Sequence, residues 1–106
     1  MQTKNPLINA KPYLNQTALV IGLARSGIAA AALIHAAGGR VLLYDRKSRE
    51  ELGDLSELDK LERVSWHLAE EIAPLYQQAD FAIISPGIPP DAPDIRGALL
   101  SGLPLH

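Results

Sequence analysis

Three short stretches of this sequence carry residue types that meet phosphates and nucleosides. The first is Gly22-Leu23-Ala24-Arg25-Ser26-Gly27. It is one substitution away from the dinucleotide fingerprint G-x-G-x-x-G, with Ala24 in place of the second glycine. In that fingerprint the first glycine makes a tight turn. The second lets a pyrophosphate lie against the backbone, and the third brings helix and strand together. The methyl group of Ala24 crowds a dinucleotide. A phosphate can still approach the start of the following helix, where open N–H groups and the helix dipole favour an anion. Ser26 adds a hydroxyl donor there and Arg25 a positive charge. The plain alternative is that the glycines serve the turn alone and the loop binds nothing.

The second stretch is Asp45-Arg46-Lys47. Asp45 stands 18 residues after Gly27, near the place where dinucleotide-binding units put the acid that accepts from a ribose hydroxyl. Two basic residues follow it, either a solvated turn or a face for an anionic ligand. The third stretch is "SPGIPP", residues 85–90. Pro86 cannot donate to a sheet and so ends a strand. Gly87 offers an N–H with no side chain in the way and a backbone open to conformations other residues avoid. This stretch is either a rigid turn or a wall of a ligand cleft. Tyr44, just before Asp45, either packs in the sheet or lies under a base.

The other reactive side chains form no site. His35 falls among alanines, His67 follows Trp66, and His106 is the last residue. No pair has metal-ligand spacing. The acids of 50–62 read as a solvated face, not as paired carboxylates. There is no cysteine, which removes disulfides, thiolate chemistry and cysteine-held metals. No catalytic residue and no metal ligand is assigned.

The elements that must position these stretches follow from the apolar pattern. "TALVIG" (17–22) is a strand fit for burial on both faces. "SGIAAAALIHAAGG" (26–39) is an alanine-rich helix, with Ser26 as its expected N-cap and Gly38-Gly39 as its stop. "RVLLYD" (40–45) is a second buried strand. Together they make a βαβ crossover, which requires parallel strands. Residues 48–62 read as a loop, a broken helix or both. "RVSWH" (63–67) is a short third strand, and 69–79 a helix complicated by Pro74. "DFAIIS" opens a fourth strand at 80, and 93–102 is a helix with Pro93 in its first turn. Strands alternating with helices give an α/β, Rossmann-like fold, with a mostly parallel sheet and helices on both faces. In such sheets ligands lie at the carboxyl ends of the strands, where all three stretches fall.

At 106 residues the chain makes one small domain. Its net charge of −2 sets up no field for nucleic acid or an anionic membrane. No apolar run reaches the roughly 20 residues of a membrane span. The opening "MQTKNPLINAKPYLNQ" has no apolar core of the kind a signal peptide carries. A cytoplasmic location is therefore expected. The sequence stops at what reads as the start of another strand, so the expectation is a piece of a longer protein.

Taken together, "GLARSG", "YDRK" and "ISPGIP", in this order and spacing, resemble the N-terminal domain of the bacterial Mur ligases over roughly residues 14–106. The pattern GLxxSG is most similar to the branch that adds D-glutamate to UDP-N-acetylmuramoyl-L-alanine. The resemblance implies three domains: an N-terminal one for the uridine diphosphate part of the substrate, a central ATPase, and a C-terminal one that helps bind the amino acid. It places Arg25 and Ser26 at the pyrophosphate, Asp45, Arg46 and Lys47 around the uracil and ribose, and Gly87 in the same pocket. It implies ATP and Mg²⁺ for the whole enzyme, which phosphorylates the alanine carboxylate before the amine of D-glutamate attacks. This chain has no G-x-x-x-x-G-K-[ST] cradle, so no cofactor and no catalytic step is expected of it. On the residues alone two other readings stay open: an NAD(P)-binding domain of an oxidoreductase, and a regulatory nucleotide-binding module.

Overall fold

The computed structural model describes residues 13–106. Most of the opening stretch read for a leader thus lies outside the described residues. Four strands form one parallel sheet: β1 (Thr17–Ile21), β2 (Arg40–Asp45), β3 (Val64–Leu68) and β4 (Phe81–Ile84). Their order across the sheet is β3-β2-β1-β4. The helices are α1 (Arg25–Ala36), the single turn α2 (Ser56–Asp59), the single turn α3 (Ala73–Tyr76) and α4 (Pro93–Leu100). The expected α/β, Rossmann-like sheet is therefore present. Leu105 makes a further parallel bridge to Ala82 at the β4 edge.

The sheet is buried on both faces because its strands are apolar at both parities. Ala18 and Val20 of β1 point with Val41 and Leu43 of β2 into one core, closed by Ala31 and Ile34 of α1 and by Leu55 and Leu58 around α2. Leu19, Ile21, Leu42 and Tyr44 point the other way, against Ile72, Leu75, Ala98 and Leu103. Thus α1 and α2 cover one face, and α3 and α4 the other.

Helix α1 ends as its sequence predicts. The Gly39 N–H bonds Ile34 O at 3.0 Å and the Gly38 N–H bonds His35 O at 3.0 Å, with Gly38 at φ +95°. This is a Schellman stop. Its start differs from expectation. The helix begins at Arg25, Ala24 is the extended N-cap residue, and no side chain caps it. Ser26 lies inside the first turn, because the loop turns into the helix two residues sooner than a Ser26 cap would require. The helix expected over 69–79 shrinks to Ala73–Tyr76. Ala69 has a left-handed φ of +54°, which breaks the run, and Pro74 fits only at the start of what remains. Residues 48–62 are both loop and broken helix: a capped 3₁₀ turn at Arg49–Glu51 and then α2. Arg49 bonds Asp59 at 2.6 Å and lies 4.4 Å from the Trp66 ring centroid, tying this segment to β3. Among the described residues no helix is long and apolar enough to cross a membrane.

Candidate functional site

The chain crosses from the β2–β3 side of β1 to its β4 side, so the strand order reverses between β1 and β4. In open α/β sheets ligands lie at that point, outside the carboxyl ends of the strands. Three loops leave the sheet there, and backbone contacts join them. The Gly22 N–H donates to Tyr44 O at 2.9 Å, and the Ser85 N–H donates to Ile21 O at 3.0 Å. Gly22 has φ +95°. A Cβ on it would sit 2.8 Å from Ser85 Cβ and 2.9 Å from Ile88 Cδ1. The glycine therefore makes the turn and also lets the SPGIP segment press against it. Gly27 does a different job: a Cβ there would run into the carbonyl oxygen of Gly22. The first and third glycines of the motif thus hold its loop closed on itself.

Between these loops lies a cleft of about 230 Å³. Ile21, Gly22 and Tyr44 form its floor, Asp45, Arg46 and Lys47 one side, and Gly87, Ile88, Pro89, Ala92 and Asp94 the other. Asp45 and Gly87 lie on two sides of one pocket, as their strand ends require. The volume is below the roughly 300 Å³ at which drug-sized pockets begin, too small to enclose a whole nucleotide. Tyr44 is buried, at 4% exposure, and lines the cleft as well as the core. Its phenol pKa is raised above the ordinary 10.0, first by burial and then by the nearby Asp94 carboxylate.

Asp45 is held on both oxygens. Oδ2 accepts from the Leu23 N–H at 2.8 Å and Oδ1 from the Lys47 N–H at 2.9 Å. It therefore pins the glycine loop to β2. Arg46 extends across the opening to α4, where its Nε donates to Asp94 Oδ2 at 3.1 Å. The arginine side chain remains 60% exposed while that of Asp94 is 10% exposed. Gly87 departs from the expectation of a special backbone. Its φ is not left-handed, and a Cβ there would have only Ser85 Oγ within reach, at 4.0 Å. What Gly87 supplies is open space at the cleft wall.

Arg25 and Ser26 are exposed on the first turn of α1 and do not line this cleft. Among the described residues no backbone or side-chain acceptor meets the N–H groups of residues 25–27, so on that account the helix end is open to an anion. Arg25 borders a second depression of about 570 Å³, shared with Ala24, Ile28 and Ala29 and with Gly53, Asp54, Ser56 and Glu57. Asp94 was not legible in advance as a site residue. It reads as an ordinary first-turn acid after Pro93, and its partner Arg46 is 48 positions away. Among the described residues no three His, Cys, Asp or Glu side chains cluster as metal ligands. Position 28, where a phosphate cradle carries lysine, is Ile28. The residues present therefore do not fit ATP phosphates or Mg²⁺.

The fold recurs in a solved structure. Shikimate dehydrogenase from Aquifex aeolicus superposes with a TM-score of 0.53 at 11% identity, over 89% of this chain and 43% of that one. That likeness speaks for the fold alone. The sequence comparisons go further. UDP-N-acetylmuramoylalanine–D-glutamate ligase of Lactiplantibacillus plantarum is 33% identical over 99 residues, 92% of this chain. The enzyme of the same name from Anaeromyxobacter dehalogenans is 38% identical over 98 residues, 91% of the chain. The chain spans about a fifth of the length of these curated relatives, 21% in each case. Residues 16–106, which hold all three strand-end motifs, match the family described as Mur ligase MurD-like, N-terminal domain, and to that family this chain belongs.

Proposed function

We propose that this domain holds the uridine diphosphate end of UDP-N-acetylmuramoyl-L-alanine for an ATP-dependent ligase of peptidoglycan synthesis, which joins D-glutamate to it in the cytoplasm. In this reading the chain is the N-terminal domain of three. ATP and Mg²⁺ belong to a central domain outside this sequence, and no chemical step falls to the residues described above. The base and ribose occupy the cleft between Asp45–Lys47 and Gly87. The phosphates run toward the first turn of α1, away from the two carboxylates of the cleft. There Arg25, the Ser26 hydroxyl and the open N–H groups meet them, for a gain on the order of 1 kcal/mol from the helix dipole plus charge-assisted hydrogen bonds. The observation that carries the reading is the single cleft formed by Gly22, Asp45 and Gly87 at the point where the strand order reverses, in a chain whose relatives are named as ligases of a UDP-sugar substrate.

Titration of the ¹⁵N-labelled chain with UDP, NAD⁺ and NADP⁺ tests it. UDP should shift the amides of 45–47, 87 and the first turn of α1, with an affinity near millimolar, about −4 kcal/mol. Absence of those shifts, or equal binding of NAD⁺ or NADP⁺, overturns the proposal and returns the dehydrogenase-like alternative.

A further inference from the structure

Asp94 is a buried carboxylate fixed from several sides. It occupies the second position of α4, after Pro93. The Tyr76 hydroxyl donates to its backbone carbonyl at 2.7 Å. Tyr76 itself lies against Gly97, where a Cβ would come within 2.6 Å of the hydroxyl oxygen. Arg46 takes Oδ2. Its other oxygen, Oδ1, has no hydrogen-bond partner among the described residues. Nor is it sealed from water, as the unpaired His35 Nε2 and His67 Nε2 are among the described residues. Oδ1 is thus an acceptor open to solvent, on a side chain that lines the cleft. The rest of the side chain is buried, so few waters can reach this oxygen, and a ligand N–H that replaces them makes a charge-assisted hydrogen bond with it.

We infer that Asp94 is the residue that selects the base, its Oδ1 accepting the N3–H of a uracil ring while Arg46, held by Oδ2, presents guanidinium N–H groups to the neighbouring ring carbonyl. This rests on the reading that the cleft takes the uridine end of the substrate. Uracil offers an N–H flanked by two carbonyls. Cytosine offers a lone pair at the same ring position, which faces a carboxylate unfavourably. Asp45 is less suited to the task, since each of its oxygens already accepts a backbone N–H. The plainer role for Asp94, an anchor for Arg46 and nothing more, predicts no preference among pyrimidines.

The experiment compares UDP, CDP and 3-methyl-UDP, which lacks the N3–H, by titration of the wild-type chain and of Asp94→Asn. Wild type should bind UDP at least tenfold more tightly than either analogue, a difference of about 1.4 kcal/mol. Asp94→Asn should reduce the UDP-to-CDP preference by about tenfold. If wild type binds UDP and 3-methyl-UDP equally, the inference is overturned while the nucleotide reading stands, and no variant is needed to see it. If Asp94→Asn weakens UDP and CDP by the same factor, Asp94 only anchors Arg46 and the inference again fails. If wild type binds no UDP at all, the functional reading fails first and this inference with it.

Discussion

Gly22→Ala should be strongly damaging, and Gly87→Ala among the mildest of the single-methyl changes at the strand ends. The methyl of Gly22→Ala meets Ser85 Cβ at 2.8 Å and Ile88 Cδ1 at 2.9 Å. It also sits on a backbone with φ +95°. Left-handed backbone costs an L-residue roughly 1–2 kcal/mol, and overpacking a filled site costs roughly 1–3. The sum is about 2–5 kcal/mol, a large part of the 5–15 kcal/mol typical of a whole domain. At Gly87 the same methyl has only Ser85 Oγ within reach, at 4.0 Å, so the stability change should stay within about 0.5 kcal/mol. Urea unfolding followed by the fluorescence of Trp66, the single tryptophan, measures both. The expected fall in Tm for Gly22→Ala is on the order of 10–30 °C. Equal losses for the two variants, or a loss under about 1 kcal/mol at Gly22, would refute the claim that the glycine loop and the SPGIP segment are packed against each other.

Asp45→Asn replaces one of two acceptor oxygens with a donor and leaves the Leu23 or Lys47 N–H unmet. It should cost about 1.5–3 kcal/mol of stability in urea melts, so its binding defect must be measured on the folded fraction. Tyr44 and Tyr76 both have phenol pKa values raised above 10.0, in each case first by burial and next by Asp94. The folded state then holds protons that the unfolded state releases, so stability is retained below pH 10 and falls as pH rises beyond it. A Tyr44→Phe variant should show a shallower alkaline fall in its urea midpoint, and an unchanged slope would count against this. Ser26→Asp places a carboxylate beside the open N–H groups of α1 and should abolish detectable UDP shifts in NMR titration while leaving Tm within a few degrees. The chain should release no phosphate from ATP in a coupled assay, and turnover lost on mutating Arg25 would contradict the absence of a cradle lysine.

The parts of the fold legible in the sequence are those fixed by short-range pattern. β1 and β2 are uninterrupted apolar runs because both faces of the sheet are covered, and the Gly38-Gly39 stop has one geometry. The three strand ends could be placed together because parallel strands share a carboxyl edge. What escaped the sequence depends on a competition between neighbours or on contacts across the fold. Residues 69–79 carry helix-forming residues, but Ala69 turns left-handed and Pro74 excludes the turn before it, so one turn survives. Ser26 has the right chemistry for an N-cap, yet the closure of Gly22 upon Gly27 sets the helix start at Arg25. Asp94 belongs to the cleft only because α4 packs beside the end of β2, a long-range fact that no local periodicity encodes.

Why this loop can lose its second glycine follows from the same contacts. In a dinucleotide-binding unit the pyrophosphate crosses the loop, and the acid at the end of the second strand waits for a ribose. Here Ala24 is exposed and borders the depression on the α1–α2 side, outside the cleft between β2 and β4. Its methyl therefore leaves the cleft unobstructed. Asp45, meanwhile, grips the Leu23 and Lys47 backbone, while Gly22 is bonded to Tyr44 and pressed against Ser85 and Ile88. The three motifs are thus one mechanical unit, in which the position of each loop is set by the other two. A cleft held this way is ordered before a ligand arrives, which lowers the entropic cost of binding. It follows that a disturbance confined to one motif must be felt in the others: loosening Asp45 should move the amides of Ser85 and Gly87 even with no nucleotide present.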